Sequence, residues 1–288
     1  FRAVEKFAPW VNKIHFVTYG HLPKWLNIDN PKLNIAKHSD FIPQKYLPTF
    51  SSQPIELNLH RINGLAERFV YFNDDMFLLR PVKRELFFAG KDCLPTDFAI
   101  TSTISTTTKE DMMPFIKLNC VTILNGHFDK KEQMKKHFSK WVNLAYGWNA
   151  LRNLIFYGQH RFKGFANNHL AFSFLKSEYE DIWEKEYESL DDTSSHKFRS
   201  KLDLDNWLIR YWQLTRGNFY PIGRHVKGKV YEIYNGVEQN QELFKIIENQ
   251  AMPMICINDN DNVDFEPMKE RIKQAFDKIL PEKSSFEK

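Results

Sequence analysis

Hydrophobic residues recur along the chain in short runs, and the spacing within these runs predicts strands separated by helices. Runs rich in β-branched and aromatic residues predict strands at Lys13–Thr18, Asn34–His38, Phe69–Phe72 and Met254–Ile257. The run Phe69–Phe72 lacks polar alternation, which is typical of a strand buried on both faces. Residues 92–125 are rich in Thr and Ser, and we expect strand and loop there.

Apolar residues at helical spacing predict the helices. They are expected at 1–8, from Ser52 to near Gly64, at about 130–143 and 147–157, from His169 to Leu190, from Ser200 to Leu214, and from Phe265 to Leu280. In the helix from Ser52, the residues Glu56, His60 and Asn63 would share one polar face. A second polar stripe would follow the helix near Ser200 and contain Arg199, Asp203, Asn206 and Arg210.

This order of strands and helices predicts an α/β fold with a mixed or mostly parallel sheet flanked by helices. Helical patterns are dense between residues 128 and 218, so we expect a helical subdomain there. It would lie within a single catalytic domain that spans residues 1–288.

The composition is that of a folded domain, with 42% hydrophobic and 15% aromatic residues. The net charge of +4 fits anionic substrates such as nucleotide sugars, or loose association with an anionic membrane surface. The sequence contains no dense basic run and no recognisable nucleic-acid module, so we expect no nucleic-acid partner.

Cysteine usage and hydropathy indicate the compartment. Cys93, Cys120 and Cys256 are far apart and odd in number, which predicts neither a disulfide framework nor a cysteine-based zinc site. A reduced, cytoplasmic setting is therefore expected. No apolar stretch approaches the length of a membrane span and no signal peptide is visible, so any membrane contact would be peripheral, at the inner face of the cytoplasmic membrane.

The strongest local signal for chemistry is Asn73-Asp74-Asp75, directly after the strand Phe69–Phe72. Ligands of α/β proteins bind at the carboxyl ends of strands. Two adjacent carboxylates repel each other unless a cation or proton is shared. Mg²⁺ or Mn²⁺ bridging a diphosphate would be a natural partner, although Asn and Asp also follow strands for backbone reasons alone.

Other candidates are weaker in isolation. Asn258 and Asp259 follow the second apolar strand, but the acidic string has Asp264 where an EF-hand loop needs glycine, and a solvated turn remains open. His169 suits a general base because imidazole titrates near neutral pH. Arg199 with Asp203 fits either an intrahelical ion pair or an arginine oriented towards phosphate.

Several enzyme classes lose their main support. The sequence lacks the glycine-rich motifs of P-loop kinases and dinucleotide-binding dehydrogenases. It also lacks the nucleophile elbow of serine hydrolases and the His-Glu-x-x-His motif of zinc proteases.

Taken together, long stretches of the chain resemble the stealth family of sugar-phosphate transferases. The matching stretches are FRAVEKFAPWVNKIHFVTYGHLPKWLNIDNPKL, LPTFSSQPIELNLHRINGLAERFVYFNDDMFL, NNHLAFSFL, DDTSSHKFRSKLDLDNWLIRYWQLTRGNFYP and ICINDNDNVDFEPMKERIKQAFDKILPEKSSFE. They correspond to three of the four regions shared by the family, which includes bacterial capsular and exopolysaccharide phosphotransferases and an animal N-acetylglucosamine-1-phosphotransferase.

The sequence departs from the family in two respects. The opening region, roughly Asp-Ile-Val-Tyr-Thr-Trp-Val, has no counterpart, so we expect an N-terminal family segment to be missing from this chain. The large insertion that follows the Asn-Asp-Asp of the animal enzyme is also absent, which favours the compact bacterial type.

The resemblance implies a nucleotide-sugar-transferase-like fold and a reaction. A UDP-sugar would donate sugar-1-phosphate to a hydroxyl of a polysaccharide or lipid-linked glycan, forming a phosphodiester and releasing UMP. Asp74 and Asp75 would hold a divalent cation, Mg²⁺ or Mn²⁺, or orient the acceptor hydroxyl. His169 would be the general base, and Arg199, steered by Asp203, would bind phosphate.

The remaining candidates would line the same cleft. Asn258 and Asp259 would close it from the second strand, with Asp259 and Asp75 as metal ligands. The other substrate-binding residues implied are Glu56, His60, Arg61 and Asn73. Two alternatives stay open, a metal-dependent glycosyltransferase that releases UDP and a non-catalytic glycan-binding module, and the sequence gives no oligomeric state.

Overall fold

Short strands and helices alternate along the chain, as the short apolar runs predict. A computed structural model of the chain describes residues 1–106, 108, 110–259 and 264–288. In these ranges the strands are β1 Ile14–Thr18, β2 Leu33–Lys37, β3 Arg68–Tyr71, β4 Met76–Leu78, β5 Phe88–Ala89, β6 Leu94–Asp97, β7 Phe172–Leu175, β8 Tyr220–Pro221, β9 Gly228–Glu232 and β10 Met254–Asn258.

Helices occupy much of the rest of the described chain. The α-helices are α1 Arg2–Phe7, α2 His38–Phe41, α3 Ser52–Leu57, α4 Met113–His127, α5 Lys130–Lys136, α6 Phe138–Trp141, α7 Asn149–Ile155, α8 Lys176–Lys185, α9 Tyr187–Ser195, α10 Asn206–Thr215, α11 Gln241–Glu248 and α12 Phe265–Ile279. Short 3-10 turns occur at Gln44–Tyr46, Leu59–Arg61, Arg84–Leu86, Leu144–Tyr146 and Val237–Asn240. None of the helices within the described ranges is long and apolar enough to cross a bilayer.

The predicted mixed α/β architecture is confirmed, but the strands form four small sheets in the described part of the chain instead of one. Strand β1 pairs with β2 in parallel, and β3 pairs with β7 antiparallel. Strand β10 lies between β4, which is antiparallel to it, and β9, which is parallel to it. Strand β6 pairs with β5 antiparallel and with β8 in parallel.

The β3–β7 pair corrects the prediction of a long helix from His169 to Leu190. Residues 172–175 form a strand, and α8 and α9 follow it. Tyr71 at the end of β3 lies opposite Phe172 at the start of β7. The turn after β3 therefore meets the segment that precedes β7. Cross-strand aromatic packing, with the Phe69 and Phe174 rings 5.8 Å apart, stabilises this register.

A second pairing brings β10 to the same turn. Met76, the first residue of β4, lies opposite Cys256 of β10. The backbone N–H of Ile257 also donates to the carbonyl of Asp75 at 2.9 Å. Strand β9 approaches β10 closely because Gly228 has a φ of +149°, and a Cβ there would lie 1.7 Å from the carbonyl oxygen of Met254.

Two hydrophobic cores meet at the segment that leads into β7. The first core packs α4, α8 and α10 together, and the second packs β4, β9 and β10 against α11 and α12. Leu170 and Ala171 belong to the second core, whereas Phe174 belongs to the first. Residues just before β7 are thus held from both sides.

Two further predicted helices are shorter in the structure. Helix α3 ends at Leu57, because the Asn58 side chain donates to the carbonyl of Pro54 at 2.8 Å and competes with the helical ladder. The helix predicted from Ser200 begins only at Asn206, where the Asp205 side chain caps it by accepting from the N–H of Trp207. The predicted polar faces of both helices are therefore wrong.

Residues 113–125, predicted as strand and loop, belong to helix α4, which spans Met113–His127. Its buried residues Ile116, Cys120, Val121 and Leu124 have helical spacing. The predicted helical subdomain, 128–218, contains α5 to α10 but also β7, which pairs with β3 outside this range. The helix predicted from Phe265 is present, with Asp264 at its N-cap position.

Candidate active site

The candidate site is built on the turn Asn73–Asp75 between β3 and β4. The antiparallel partner of β3 brings His169 to this turn, and β10 brings Cys256 and Asn258. Of the predicted site residues, the structure therefore assembles Asp75, His169 and Asn258 from three distant parts of the sequence. Asn73 and the exposed Asp74 belong to the same turn.

Asp75 and His169 form a hydrogen-bonded pair, with Asp75 Oδ2 3.0 Å from His169 Nε2. An ionised carboxylate only accepts, so the hydrogen of this bond is on Nε2. The Nδ1 of the neutral ring then carries the lone pair. The His169 side chain is 42% exposed, which leaves the ring accessible to a substrate. This pair has the orientation that a general base needs, with the carboxylate holding one tautomer.

Cys256 contacts the same carboxylate and was missed by sequence reasoning. Its Sγ lies 3.1 Å from Asp75 Oδ2 and 3.3 Å from Asn258 Oδ1. Burial, together with the hydrogen bond to Asp75, raises the pKa of the Cys256 thiol. The thiol is therefore protonated at neutral pH and serves as a donor. Residues two apart on a strand share a face. Once Asn258 at the end of β10 was a candidate, the strand spacing was therefore a sequence signal for Cys256 as well.

The donor atoms fit a hard divalent cation better than zinc. The ligand atoms of Asp75, His169 and Cys256 lie within 4.8 Å of one another. A metal bound at Sγ would have to displace the thiol proton of Cys256, whose pKa is raised by burial. Asp75 Oδ1 is buried and has no hydrogen-bond partner among the described residues. This oxygen and Asn258 Oδ1 are the ligand type that Mg²⁺ and Mn²⁺ prefer.

Asp259, predicted as a metal ligand, follows β10 and is exposed. It is not in the ligand group found among the described side chains. Its role remains a prediction. The predicted acidic string continues through Asn260, Asp261 and Asn262, which lie outside the described residues.

Glu56 lies beneath the turn and is linked to it through Tyr71. The Tyr71 hydroxyl donates to Glu56 Oε1 at 2.9 Å. Burial, followed by repulsion from Asp205, raises the pKa of Glu56 to about 8. Burial also raises the pKa of Tyr71, and the charges of Glu56 and Asp74 add to this rise. Glu56 is therefore mostly a neutral carboxylic acid at pH 7, buried below the site.

Arg199 lies in a separate cleft of about 470 Å³, where its Nη2 donates to Ser52 Oγ at 3.3 Å. Phe50 also lines this cleft and stacks on Phe198. The positive charge of Arg199 opposes the rise in the pKa of Glu56, so it acts on the buried carboxyl below the site. It does not belong to the group formed by Asp75 and His169, and its phosphate-binding role remains a prediction.

The prediction that Asp203 steers Arg199 is wrong. Asp203 is buried and accepts from His196 Nδ1 at 2.6 Å and from the N–H of Ser200 at 2.7 Å. The two residues precede α10 and do not share a helical face. Asp203 instead stabilises the turn that leads into α10.

His60 and Arg61 lie in the 3-10 turn after α3 and not on a helical face with Glu56. The His60 ring stacks on Tyr179 with centroids 5.6 Å apart. Burial lowers the pKa of His60 to about 3, so it is a neutral core residue. The exposed Arg61 lies over the ring of Trp183. Both substrate-binding roles remain predictions.

Two cations near His169 were missed because no motif marks them. Arg224 Nε donates to Asn168 Oδ1 at 3.1 Å, and Asn168 adjoins His169. Lys227 Nζ donates to the carbonyl of Thr96 at 3.0 Å. Both side chains line a small pocket that Asn168 also lines.

Comparisons with known proteins identify the family of this chain. The family described as Stealth protein CR2, conserved region 2, matches residues 1–94, which include the Asn-Asp-Asp turn. The chain is 43% identical over 290 residues to the capsular polysaccharide phosphotransferase WcwK of Streptococcus pneumoniae, covering 100% of this chain and 84% of the relative. It is 40% identical to the receptor polysaccharide phosphotransferase WefC of Streptococcus gordonii, with 100% and 84% covered.

A third relative comes from another genus. The exopolysaccharide phosphotransferase cps2G of Lactiplantibacillus plantarum is 37% identical, with 100% of this chain and 83% of the relative covered. Similarity at this level over the whole chain confirms the resemblance seen in the sequence. The chain therefore belongs to the stealth family and is a phosphotransferase of the bacterial type.

Proposed function

We propose that the chain transfers sugar-1-phosphate from a UDP-sugar to a hydroxyl of a polysaccharide or lipid-linked glycan, with release of UMP. The observation that carries the proposal is the Asp75–His169 pair, which leaves His169 Nδ1 free to accept a proton. The relatives are named as capsular, receptor and exopolysaccharide phosphotransferases, which supports a polysaccharide acceptor.

The reaction is an in-line displacement at the β-phosphorus of the donor. The acceptor hydroxyl forms a new P–O bond, and its proton passes to His169 Nδ1. The bond between the β-phosphorus and the oxygen that bridges it to the α-phosphorus breaks. That oxygen leaves with the α-phosphate as UMP, and the sugar keeps the β-phosphate as a phosphodiester.

Charge on the diphosphate must be neutralised for this reaction. Asp75 and Asn258 would hold Mg²⁺ or Mn²⁺, which when bound would supply Lewis-acid stabilisation. Asp75 would then orient His169 through one carboxylate oxygen and contact the cation through the other. The free acceptor Asp75 Oδ1 supports this division.

Metal-dependent glycosyl transfer is the nearest alternative, since an acidic turn after a strand serves both reactions. In that reaction the acceptor attacks the anomeric carbon and UDP leaves. The glycan-binding alternative is not supported, because relatives that cover the whole chain are phosphotransferases.

The released nucleotide distinguishes the two reactions. The protein would be incubated with Mg²⁺ or Mn²⁺, a panel of UDP-hexoses and polysaccharide from the producing strain, and the nucleotides separated by chromatography. We expect UMP from the wild type and at most a trace from His169→Ala. Release of UDP would contradict phosphotransfer.

We also propose that the reaction takes place in the cytoplasm or at the inner face of the cytoplasmic membrane. Cys93, Cys120 and Cys256 are all free thiols, which supports a reducing compartment. Fractionation of the producing cells tests this, and recovery of the protein outside the cytoplasmic membrane would contradict it.

A further inference from the structure

A buried ion pair lies beside the small pocket that Asn168 and Lys227 line. Arg210 Nε and Nη2 each lie 2.8 Å from an oxygen of Asp97, so the pair is bidentate. The side chains of Arg210 and Asp97 are 1% and 9% exposed. Both oxygens of the single carboxylate are therefore engaged by Arg210.

Lys227 adds a second cation to this pair. Its Nζ donates to the carbonyl of Thr96 at 3.0 Å and to Ser173 Oγ at 3.3 Å, which are neutral acceptors. Burial lowers the pKa of Lys227 to about 8; the charge of Asp97 opposes this effect, and the charge of Arg210 adds to it. An ammonium group has three N–H donors, so one is left after these two bonds. The cluster carries two positive charges and one negative charge.

Arg224 completes the group at the pocket mouth. Its guanidinium is held by Asn168 Oδ1 and by the carbonyl of Asn167, both at 3.1 Å. The pocket residues that bear on ligand binding are Thr96, Asp97, Asn168, Phe172, Arg224 and Lys227. Asn168, which holds Arg224, directly precedes His169 in the chain, so Arg224 lies near the Asp75–His169 pair.

We propose that Arg224 and Lys227 bind phosphate oxygens at the mouth of this small pocket, so that the phosphate-bearing substrate extends from these two cations to His169. Lys227 has no carboxylate among its hydrogen-bond partners in the described part of the chain, since Arg210 engages both oxygens of Asp97. A partly desolvated cation of this kind is stabilised by an anion, and arginine matches phosphate in geometry. This inference rests on the proposed function only for its phosphate-bearing donor, which glycosyl transfer also requires.

Calorimetric titration of the full chain with UMP and with inorganic pyrophosphate tests the pocket. We expect Arg224→Gln and Lys227→Met each to weaken binding of at least one probe by about tenfold or more, or about 1.4 kcal/mol. Lys229→Met is the matched control, because Lys229 is exposed on β9, and its binding should equal that of the wild type. Lys227→Arg should retain more affinity than Lys227→Met.

Unchanged affinity in both folded variants would overturn the pocket assignment, and so would the absence of binding of either probe to the wild type. If Lys227→Met does not fold, Arg224→Gln decides, because Arg224 is exposed. These results do not depend on whether UMP or UDP is released. The assignment of the pocket and the proposed reaction can therefore be disproved separately.

Helix α7 provides a second, independent observation, because it buries a polar residue and exposes apolar ones. Asn153 is fully buried, accepts from the N–H of Thr101 and donates to the carbonyls of Ala99 and Trp141. The other side presents exposed apolar residues. With the exposed fraction of each, they are Leu144 (97%), Trp148 (90%), Leu151 (50%), Leu154 (43%) and Ile155 (70%). At 100° per residue, the residues at 148, 151 and 155 share a face opposite to Asn153.

Basic side chains flank this apolar surface. Lys130 Nζ donates to the carbonyl of Phe156 at 3.0 Å, which places the start of α5 beside the end of α7. The exposed basic residues of these segments are Lys131, Lys135, Lys136, Arg161 and Lys163. Residues 130–163 contain eight Lys and Arg and a single acidic residue, Glu132.

We infer that the apolar surface docks on a bilayer that contains anionic lipids. Exposed Trp and Leu beside Lys and Arg are the composition of interfacial membrane contacts. A second copy of the chain is a poorer occupant, since a two-fold interface would bring two basic rims together. Docking there would hold the site near lipid-linked acceptors.

Flotation with vesicles tests this surface. We expect the wild type to float with vesicles that contain phosphatidylglycerol and not with pure phosphatidylcholine, with less binding at high salt. The double variant Trp148→Ser, Leu151→Ser should lose at least about tenfold in partitioning, since each apolar group removed weakens insertion. Ile28→Ser is the control, because Ile28 is 53% exposed in the loop between β1 and β2.

Equal flotation of the double variant and the control would overturn the inference, as would failure of the wild type to float with the anionic vesicles. Sedimentation without lipid adds a separate check. A dimer that the double variant abolishes would assign the surface to self-association instead. Comparable unfolding temperatures of the variants establish that the fold is intact.

Discussion

Asp75 Oδ2 and His169 Nε2 lie 3.0 Å apart, although the two residues are 94 positions apart in the sequence. The antiparallel register of β3 and β7 causes this proximity, since Tyr71 at the end of one strand faces Phe172 at the start of the other. The residues that follow β3 and those that precede β7 consequently meet at the same end of the pair.

The first prediction concerns this pair. His169→Ala should lower kcat by about 10²-fold to 10⁴-fold, the usual contribution of a general base. Asp75→Asn should also lower kcat strongly, because an amide does not fix the same tautomer. Turnover under saturating donor is the measurement. His21→Ala is the control, since His21 is exposed, and equal turnover in all four proteins would contradict the assignment.

The second prediction concerns the thiol of Cys256. Its pKa is raised by burial and by Asp75, so it should resist alkylation by iodoacetamide at neutral pH. Half-buried Cys93 should be modified first. Mass spectrometry of the native protein after a time course gives the order. If Cys256 were alkylated as fast as Cys93, its sulfur would be a thiolate. Zinc ligation by Asp75, His169 and Cys256 would then be favoured.

The third prediction is a pH dependence of stability from Glu56. Its pKa is about 8 in the folded protein against an ordinary value of 4.5. Between these values the unfolded chain has lost the proton that the folded protein retains, so the free energy of unfolding falls as pH rises from about 4.5 to about 8. The loss should be on the order of a few kcal/mol.

Glu56→Gln should flatten this dependence, because a neutral amide does not titrate. Urea unfolding of wild type and variant across this pH range is the measurement. Glu238→Gln, at an exposed position, should leave the slope unchanged. Parallel curves for wild type and Glu56→Gln would show that Glu56 is ionised in the folded state.

The fourth prediction concerns the buried pair of Asp97 and Arg210. Asp97→Asn should lower the free energy of unfolding by about 3–5 kcal/mol, because it leaves a buried cation without its partner. Glu180→Gln, which removes the exposed helical pair with Lys176, should cost less than about 0.5 kcal/mol. Similar losses in the two variants would contradict the structural role of the buried pair.

Local signals predicted much of the fold. The strand Met254–Ile257 and the helix from Phe265 were predicted because the spacing of their apolar residues matches the element that each forms. β7 was missed because Phe172 and Leu175 continue at helical spacing into Tyr179 and Ile182 of α8, and a short buried strand and a buried helical turn look alike in sequence. Helix α4 could have been found, since its buried positions are helically spaced.

The candidate site was predictable in its components and not in its assembly. The acidic turn and the polar end of β10 were visible because each follows an apolar run. Their meeting depends on long-range strand pairing, which no local pattern encodes. Lys227 is held by a backbone carbonyl and a serine, and such contacts leave no motif in the sequence.

The most direct test of phosphotransfer follows the β-phosphorus of the donor. A UDP-sugar labelled with ³²P at the β-phosphate would be incubated with the protein, the divalent cation and the acceptor polysaccharide. The label should appear in the polysaccharide as a phosphodiester, resistant to phosphatase, with unlabelled UMP in solution. Label recovered in UDP, with sugar but no phosphorus on the polysaccharide, would contradict the account.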